Sequence, residues 1–226
     1  MLIVKLRKTT STMDVARRLA ENNPQETIVV LAEEQTAGRG RLDRSWESPK
    51  GGLWASIVLP SPPYSDLLSI VAGLSVANAL RKATGLDVKI KWPNDIVFEG
   101  KKMGGILVEI PSKSYAIIGV GVNVNNDPPL PTATSVKTVL GKEVDLDGLL
   151  KAIIEELNRV LKSSRRETLA RYKALLSTIG KMVRIKFVDG KVIEGTAVDV
   201  ADNGALILET PSGIVEVLEG DVERAH

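Results

Sequence analysis

The run Gly38-Arg39-Gly40-Arg41-Leu42-Asp43-Arg44-Ser45-Trp46, which follows the β-branched segment from Thr27 to Ala32, decides how this chain is read. Three arginines, two glycines and a tryptophan fall within nine residues. Glycine lets a backbone turn tightly and lie close to a ligand. Arginine is a permanent cation whose planar fork suits phosphate and carboxylate. Tryptophan offers a flat face to a base or a cation. Such a loop closes over a compact anionic ligand that carries an aromatic ring, for example a nucleotide or an acyl-adenylate. The spacing matches neither common nucleotide fingerprint. There is no P-loop, and Asp43 stands where G-x-G-x-x-G requires its third glycine. A basic, solvated surface loop has the same composition.

Composition narrows the chemistry. The chain has 226 residues, 43% hydrophobic and 26% charged, ordinary values for a globular protein of one large domain or one domain with a small companion. A net charge of +2 does not describe a surface that coats nucleic acid. There is no cysteine, which removes disulfides, thiolate metal sites and cysteine nucleophiles and suits a reducing cytosol. The one histidine is His226, the last residue, so a His-based triad or a His-rich metal site is not expected. Proton transfer would fall to Asp, Glu, Lys or the substrates. No apolar run spans a bilayer, and Met1 to Leu6 reads as a strand, not a signal peptide. The expectation is a soluble, cytoplasmic protein with no membrane partner.

Periodicity gives the organisation. A helix begins at Ser11 or Thr12 and stops near Asn22-Asn23-Pro24. Thr27 to Ala32 and Leu53 to Leu59 read as strands, and Leu67 to Thr84 as a helix stopped by Gly85. Val88 to Trp92 is a strand broken by Pro93. Asp95 to Phe98 and Met103 to Ile110 flank a turn at Glu99-Gly100-Lys101-Lys102. Tyr115 to Val124 is a strand, Asp127 to Pro131 a stiff loop, and Asp147 to Leu161 and Glu167 to Leu176 are amphipathic helices. After Gly180 the texture changes to short alternating strands with turns at Asp189-Gly190, Asn203-Gly204 and Ser212-Gly213. The expected fold is α+β: a domain over residues 1–179 and a small β-barrel over 180–226.

Individual residues carry two readings. Lys102 is either a solvated turn lysine or a cation beside Gly104-Gly105, where a ligand can approach the backbone. Asp95 is an acceptor-only anion that can hold Lys102 or a magnesium ion. Gly119 and Gly121 leave one face of a strand without side chains. Ser11 and Thr12 either cap a helix or bind a ligand. Trp54 reads as core; Trp92 as core or ligand contact.

Gln35-Thr36-Ala37-Gly38-Arg39-Gly40-Arg41 with Trp46 resembles the biotin-binding loop of the biotin protein ligases. Four further signatures follow the same order: Ser11-Thr12-Met13-Asp14, Lys91-Trp92-Pro93-Asn94-Asp95, Lys101 to Glu109, and Gly119-Val120-Gly121-Val122-Asn123-Val124-Asn125. Together they cover most of the chain. The resemblance implies a mixed sheet with packed helices, like class II tRNA synthetases, and an SH3-like C-terminal barrel. It implies that biotin and MgATP form biotinyl-5′-AMP and that a lysine of a biotin carboxyl carrier protein then accepts the biotin. Lys102, Arg41 and Arg39 become the catalytic cations. Ser11, Thr12 and Gln35 match the groups that hold the ureido ring, which needs donors and acceptors alike. Gly38, Gly105, Gly119 and Gly121 border the biotin with Arg39, Arg41 and Lys102. Trp46 matches the residue on the adenine face, Asn123 one that recognises adenine, and Asn94 joins the ATP side. Arg44 lies near the departing phosphates or is a surface charge, and Arg224 matches poorly an arginine near ATP. The resemblance also suggests a homodimer. The chain begins at the first catalytic-domain strand, so no operator-DNA binding is expected. Two competing readings are a lipoate–protein ligase, of the same superfamily, and a non-catalytic module that binds a ligand or nucleic acid.

Overall fold

The computed structural model describes residues 1–224, without the side chain of Arg224; His226 lies outside the described residues. Its larger sheet takes strands β1 (Leu2–Thr9), β2 (Ile28–Gln35), β3 (Leu53–Pro60), β4 (Lys89–Lys91), β5 (Asp95–Phe98), β6 (Lys101–Ser112) and β7 (Tyr115–Val122) in the order β1-β2-β3-β7-β6-β5-β4. Only β1 and β2 run parallel, joined by helix α1 (Thr12–Asn22); every other pair is antiparallel. The sheet is mixed, as expected.

Helices cover both faces, so the central strands are apolar throughout rather than alternating. Leu53 to Leu59 of β3 is buried at every position. One face packs on α2 (Leu68–Thr84), α4 (Leu146–Leu161) and α5 (Arg165–Leu175) through Leu53, Ala55, Ile57, Ile118 and Val120. The opposite face meets α1 alone, through Ile28, Val30, Val58 and Ile117 against Met13, Ala16 and Ala20. Gly85 ends α2 in the left-handed conformation at φ 75°, and its N–H donates to the Arg81 carbonyl. Asp145 and Ser164 cap α4 and α5 through their side-chain oxygens.

Strands β8 (Met182–Lys186), β9 (Val192–Val200), β10 (Leu206–Thr210), β11 (Gly213–Val217) and β12 (Asp221–Arg224) form a separate antiparallel sheet in the order β11-β10-β9-β8-β12. The expected barrel is therefore an open sheet among the described residues: β12 pairs β8, and no β11–β12 ladder closes it. Its inner face, with Val183, Ile185, Ala197 and Leu208, continues the main core. Trp92 joins the two sheets. It is 2% exposed, its indole N–H donates to the Gly204 carbonyl, and its backbone N–H donates to the Thr178 hydroxyl. It is buried in the core and also lines the cavity described below. Trp54, 1% exposed, is core as expected.

Two local expectations need correction. Lys101 and Lys102 begin β6, and the turn is confined to Glu99-Gly100, both at positive φ. A two-residue turn with both φ positive matches the twist of its strands, which a longer turn does not need to do. The short helix α3 (Val136–Leu140) and strand β12 carry too little periodicity to be read in advance.

Candidate active site

The site lies on the face that α1 leaves uncovered. Across the sheet, Trp54 pairs with Gly121, Gly121 with Gly105, and Gly105 with Asp95. One row over, Ser56 pairs with Gly119 and Gly119 with Leu107. The glycines thus form a trough in the sheet surface. The trough is occupied closely: a Cβ on Gly121 would lie 2.8 Å from the Trp46 indole nitrogen, and one on Gly119 2.9 Å from the Met13 sulfur.

The arginine loop is a short β-hairpin. Trp46 N–H donates to the Gly38 carbonyl at 2.8 Å and Gly40 N–H to the Arg44 carbonyl at 2.7 Å. Leu42 and Asp43 turn it at φ 54° and 56°, a left-handed pair unusual outside glycine. Gly38 is glycine for the protein's own packing, since a Cβ there would strike the Trp46 carbonyl and the Ser48 hydroxyl. The Gly40 amide is spent inside the hairpin.

Each arginine ties the hairpin to a different element. Arg39 donates to Asp14 of α1 at 2.6 Å and lies 3.6 Å from Glu109 of β6, which also accepts from Arg17 at 2.5 Å. The hydrogen bond to Asp14 holds the Arg39 guanidinium above its ordinary pKa. Arg44 pairs with Asp221 of β12. Arg41 donates to Asn94 at 3.1 Å, a neutral acceptor, so that contact leaves its charge uncompensated. Asn94 itself donates to the Ile106 carbonyl at 2.6 Å.

Lys102 reaches Asp95 at 2.7 Å, with its ammonium 5.1 Å above the Trp46 ring. Of the two roles read for Asp95, holding Lys102 is the one seen. A strap holds the Lys102 backbone: its N–H donates to the Thr132 carbonyl and its carbonyl accepts from Thr134, both at 2.9 Å. Beneath the Asn94–Asp95 corner, the Tyr172 hydroxyl donates to the Pro93 carbonyl at 3.0 Å; complete burial pushes the phenol well above its ordinary pKa and keeps it neutral.

The polar end has one opening. Gln35 accepts from the N–H of Thr12 at 2.8 Å and from its hydroxyl at 3.0 Å, and donates to Ser48 at 2.8 Å. Gln35 and Thr12 therefore satisfy each other, and Gln35 takes the capping role read for Ser11. The Ser11 hydroxyl and the Trp46 indole N–H are buried with no hydrogen-bond partner, and both residues line the cavity. At the other end Asn123, 6% exposed, accepts from Asn126 at 2.9 Å.

These groups enclose a cavity of about 430 Å³, within the range of small-molecule sites. It gathers Ser11, Thr12, Gln35, Arg39, Arg41, Arg44, Trp46, Asn94, Asp95, Lys102, Gly105, Gly119, Gly121 and Asn123. Of the residues read from sequence, Gly38 does not line it. Arg224 ends β12, but its side chain lies outside the described residues. Sequence reasoning missed the strap residues Pro128, Pro129 and Leu130 and the wall Gly220 to Glu223. It also missed Glu109 as a partner of Arg39. The only local signal for the strap was the proline cluster.

Residues 5–125 match the Biotin/lipoate A/B protein ligase family and residues 178–224 the Biotin protein ligase C terminal domain. The chain belongs to the biotin/lipoate protein ligase family. It is 35% identical to the bifunctional ligase/repressor BirA of Bacillus subtilis, over 94% of this chain and 71% of that protein. It is 32% identical to the biotin–[acetyl-CoA-carboxylase] ligase of Mycobacterium tuberculosis, over 92% and 83%. Its fold superposes with a TM-score of 0.87 on the biotin protein ligase of Aquifex aeolicus in complex with biotin and ATP, at 31% identity over 99% of each chain.

In a ligase of this family, a trough without side chains beside a ring of cations suits a flat ligand joined to an anion. The cations stand before the ligand arrives, Arg39, Arg44 and Lys102 held by carboxylates and Arg41 by the Asn94 amide, so little reorganisation is left for the reaction. Ser11→Ala is expected to keep folding stability unchanged or raise it by about 1 kcal/mol, because it removes a buried hydroxyl that no group satisfies. Urea denaturation reads this; a loss of about 2 kcal/mol would mean that the hydroxyl has a structural partner.

Proposed function

We propose that this chain is a biotin–protein ligase that joins biotin and MgATP into biotinyl-5′-AMP and transfers the biotin to a lysine of a biotin carboxyl carrier protein. The observation that carries the reading is the cavity itself, where an unpartnered Ser11 hydroxyl at one end and Lys102, Arg41 and Asn123 at the other border the glycine trough. The Mycobacterium tuberculosis and Aquifex aeolicus relatives are named as biotin ligases, which favours biotin over lipoate as the substrate.

The biotin carboxylate attacks the α-phosphorus of ATP, and pyrophosphate leaves. The lysine amine of the acceptor then attacks the carbonyl carbon, and AMP leaves. Negative charge grows on the phosphoryl oxygens in the first step, and Lys102 with Arg41 lies where it can be neutralised. Arg39 adds to the same field while bound to Asp14 and Glu109. Ser11, with Thr12 and Gln35 behind it, receives the ureido ring, and Trp46 packs beside the trough at Gly105, Gly119 and Gly121, with adenine next to Asn94 and Asn123. Among the described residues no three acidic or imidazole groups gather around a metal, and Asp95 is already paired with Lys102. A resident magnesium does not fit there; the ion arrives on the phosphates of ATP.

The two units divide near residue 180, consistent with the separate matches over 5–125 and 178–224. No helix among the described residues is long and apolar enough to cross a membrane. A cytoplasmic location and the absence of a DNA partner belong to the same proposal; the net charge of +2 favours the second. A homodimer is proposed with them. The outer edge of β1 is unpaired in the sheet order and exposes Leu2 and Ile3 at 39% and 46%. Sedimentation at micromolar concentration is expected to give twice the chain mass, and a monomer there would remove this part.

The activity is tested by biotin-dependent exchange of pyrophosphate into ATP, followed by biotin transfer to a carrier domain with lipoate as the control. Exchange is expected with biotin and not with lipoate. Lys102→Ala is expected to slow exchange by about a hundred-fold or more, the scale of losing one positioned electrostatic group, with the fold intact. Near-normal exchange in that variant would take Lys102 out of the reaction.

A further inference from the structure

The second sheet supplies a wall of the cavity, Gly220 to Glu223 at the start of β12, opposite the arginine hairpin. Among the described residues, one ion pair joins the hairpin to that sheet, between Arg44 and Asp221. Arg44 is 64% exposed but Asp221 only 25%, and the Asp221 backbone is fixed by pairing with Lys186 of β8. The carboxylate is therefore the rigid half of the pair and the arginine the movable half.

The hairpin needs such a tie. Its tip, Leu42-Asp43, holds two non-glycine residues in the left-handed region, a conformation that persists only where the surroundings fix it. Arg39 ties the first strand of the hairpin to α1, and Arg41 reaches a neutral amide. Two cross-strand bonds, Gly40 N–H to the Arg44 carbonyl and Trp46 N–H to the Gly38 carbonyl, close the hairpin on itself, and the pair with Asp221 is what ties its Arg44 strand to the second sheet. Trp46, which covers the glycine trough and carries the Lys102 ammonium on its ring face, ends that strand.

We propose that Asp221 is a positioning residue of the second sheet. By holding Arg44 it keeps the hairpin closed over the cavity, and so retains the activated acyl-adenylate until an amine takes the acyl group. The inference rests on the ligase reading for its consequence, but its first readout does not. In the ligand-free protein, Asp221→Asn is expected to speed hydrogen exchange at the Gly40 and Trp46 amides about five-fold, the upper range for a partly exposed pair. Release of biotinyl-adenylate into solution is expected to rise by a similar factor. The charge swap Arg44→Asp with Asp221→Arg is expected to restore amide protection, which loss of packing alone would not allow. Unchanged amide exchange in Asp221→Asn, unchanged release of the adenylate, or a swap that fails to restore protection would overturn the proposal. If wild-type protein showed no biotin-dependent pyrophosphate exchange, the ligase reading would fall, and the amide measurement would still report on the tie.

Discussion

An apolar sheet face must be covered, and one helix is too short to cover this one. Helix α1 has 11 residues, about 16 Å of length, and lies over only part of β2, β3 and β7. The remainder of that face carries Gly105, Gly119 and Gly121 in place of apolar side chains. The cover over it is a hairpin carrying three arginines, with Trp46 as the large apolar group that lies on the trough. A charged cover on an apolar trough leaves a cavity instead of a packed core. Every other feature of the site follows from that mismatch.

Three of the four cations of the site have a defined counterpart. Lys102 meets Asp95, Arg39 meets Asp14 and Glu109, and Arg44 meets Asp221. These partners come from β5, α1, β6 and β12, so the cations brace the sheet, the helix and the second sheet against one another. Partly exposed pairs of this kind add little to folding stability. Their effect is geometric: they fix the directions in which positive charge is presented, which favours a transition state whose charge sits at the same place. Arg41 stands apart, since its contact is the neutral Asn94.

Much of the main scaffold was legible from periodicity. The strands around Ile28, Leu53 and Tyr115 and the helix ending at Gly85 appear within a few residues of where alternation and caps put them. The glycine pair Gly119 and Gly121 was readable as a bare strand face. The position of Lys102 was not, because a turn of two residues and a turn of four differ only in backbone conformation. Alternating strands after Gly180 were legible as a separate antiparallel unit, but the strand order that leaves β11 and β12 at its two edges was not. Ser11 was read with two roles, and the choice rested with Gln35, 23 residues from Thr12, which satisfies the helix start and leaves the serine hydroxyl to the cavity.

What the sequence by itself determined is local: the elements and their order, the bare glycine positions, the absence of cysteine and of any histidine before the last residue, and a run of cations beside a tryptophan. Side-chain periods of 2 and 3.6 residues are properties of neighbouring positions, so they survive without knowledge of the fold. Tertiary structure alone decided which carboxylate each cation meets and which hydroxyl is left without a partner. Arg39 and Asp14 are 25 residues apart, and Arg44 and Asp221 are 177 apart. Pairings at that distance depend on how the sheets and helices stack to bury apolar surface, and no short-range pattern encodes them.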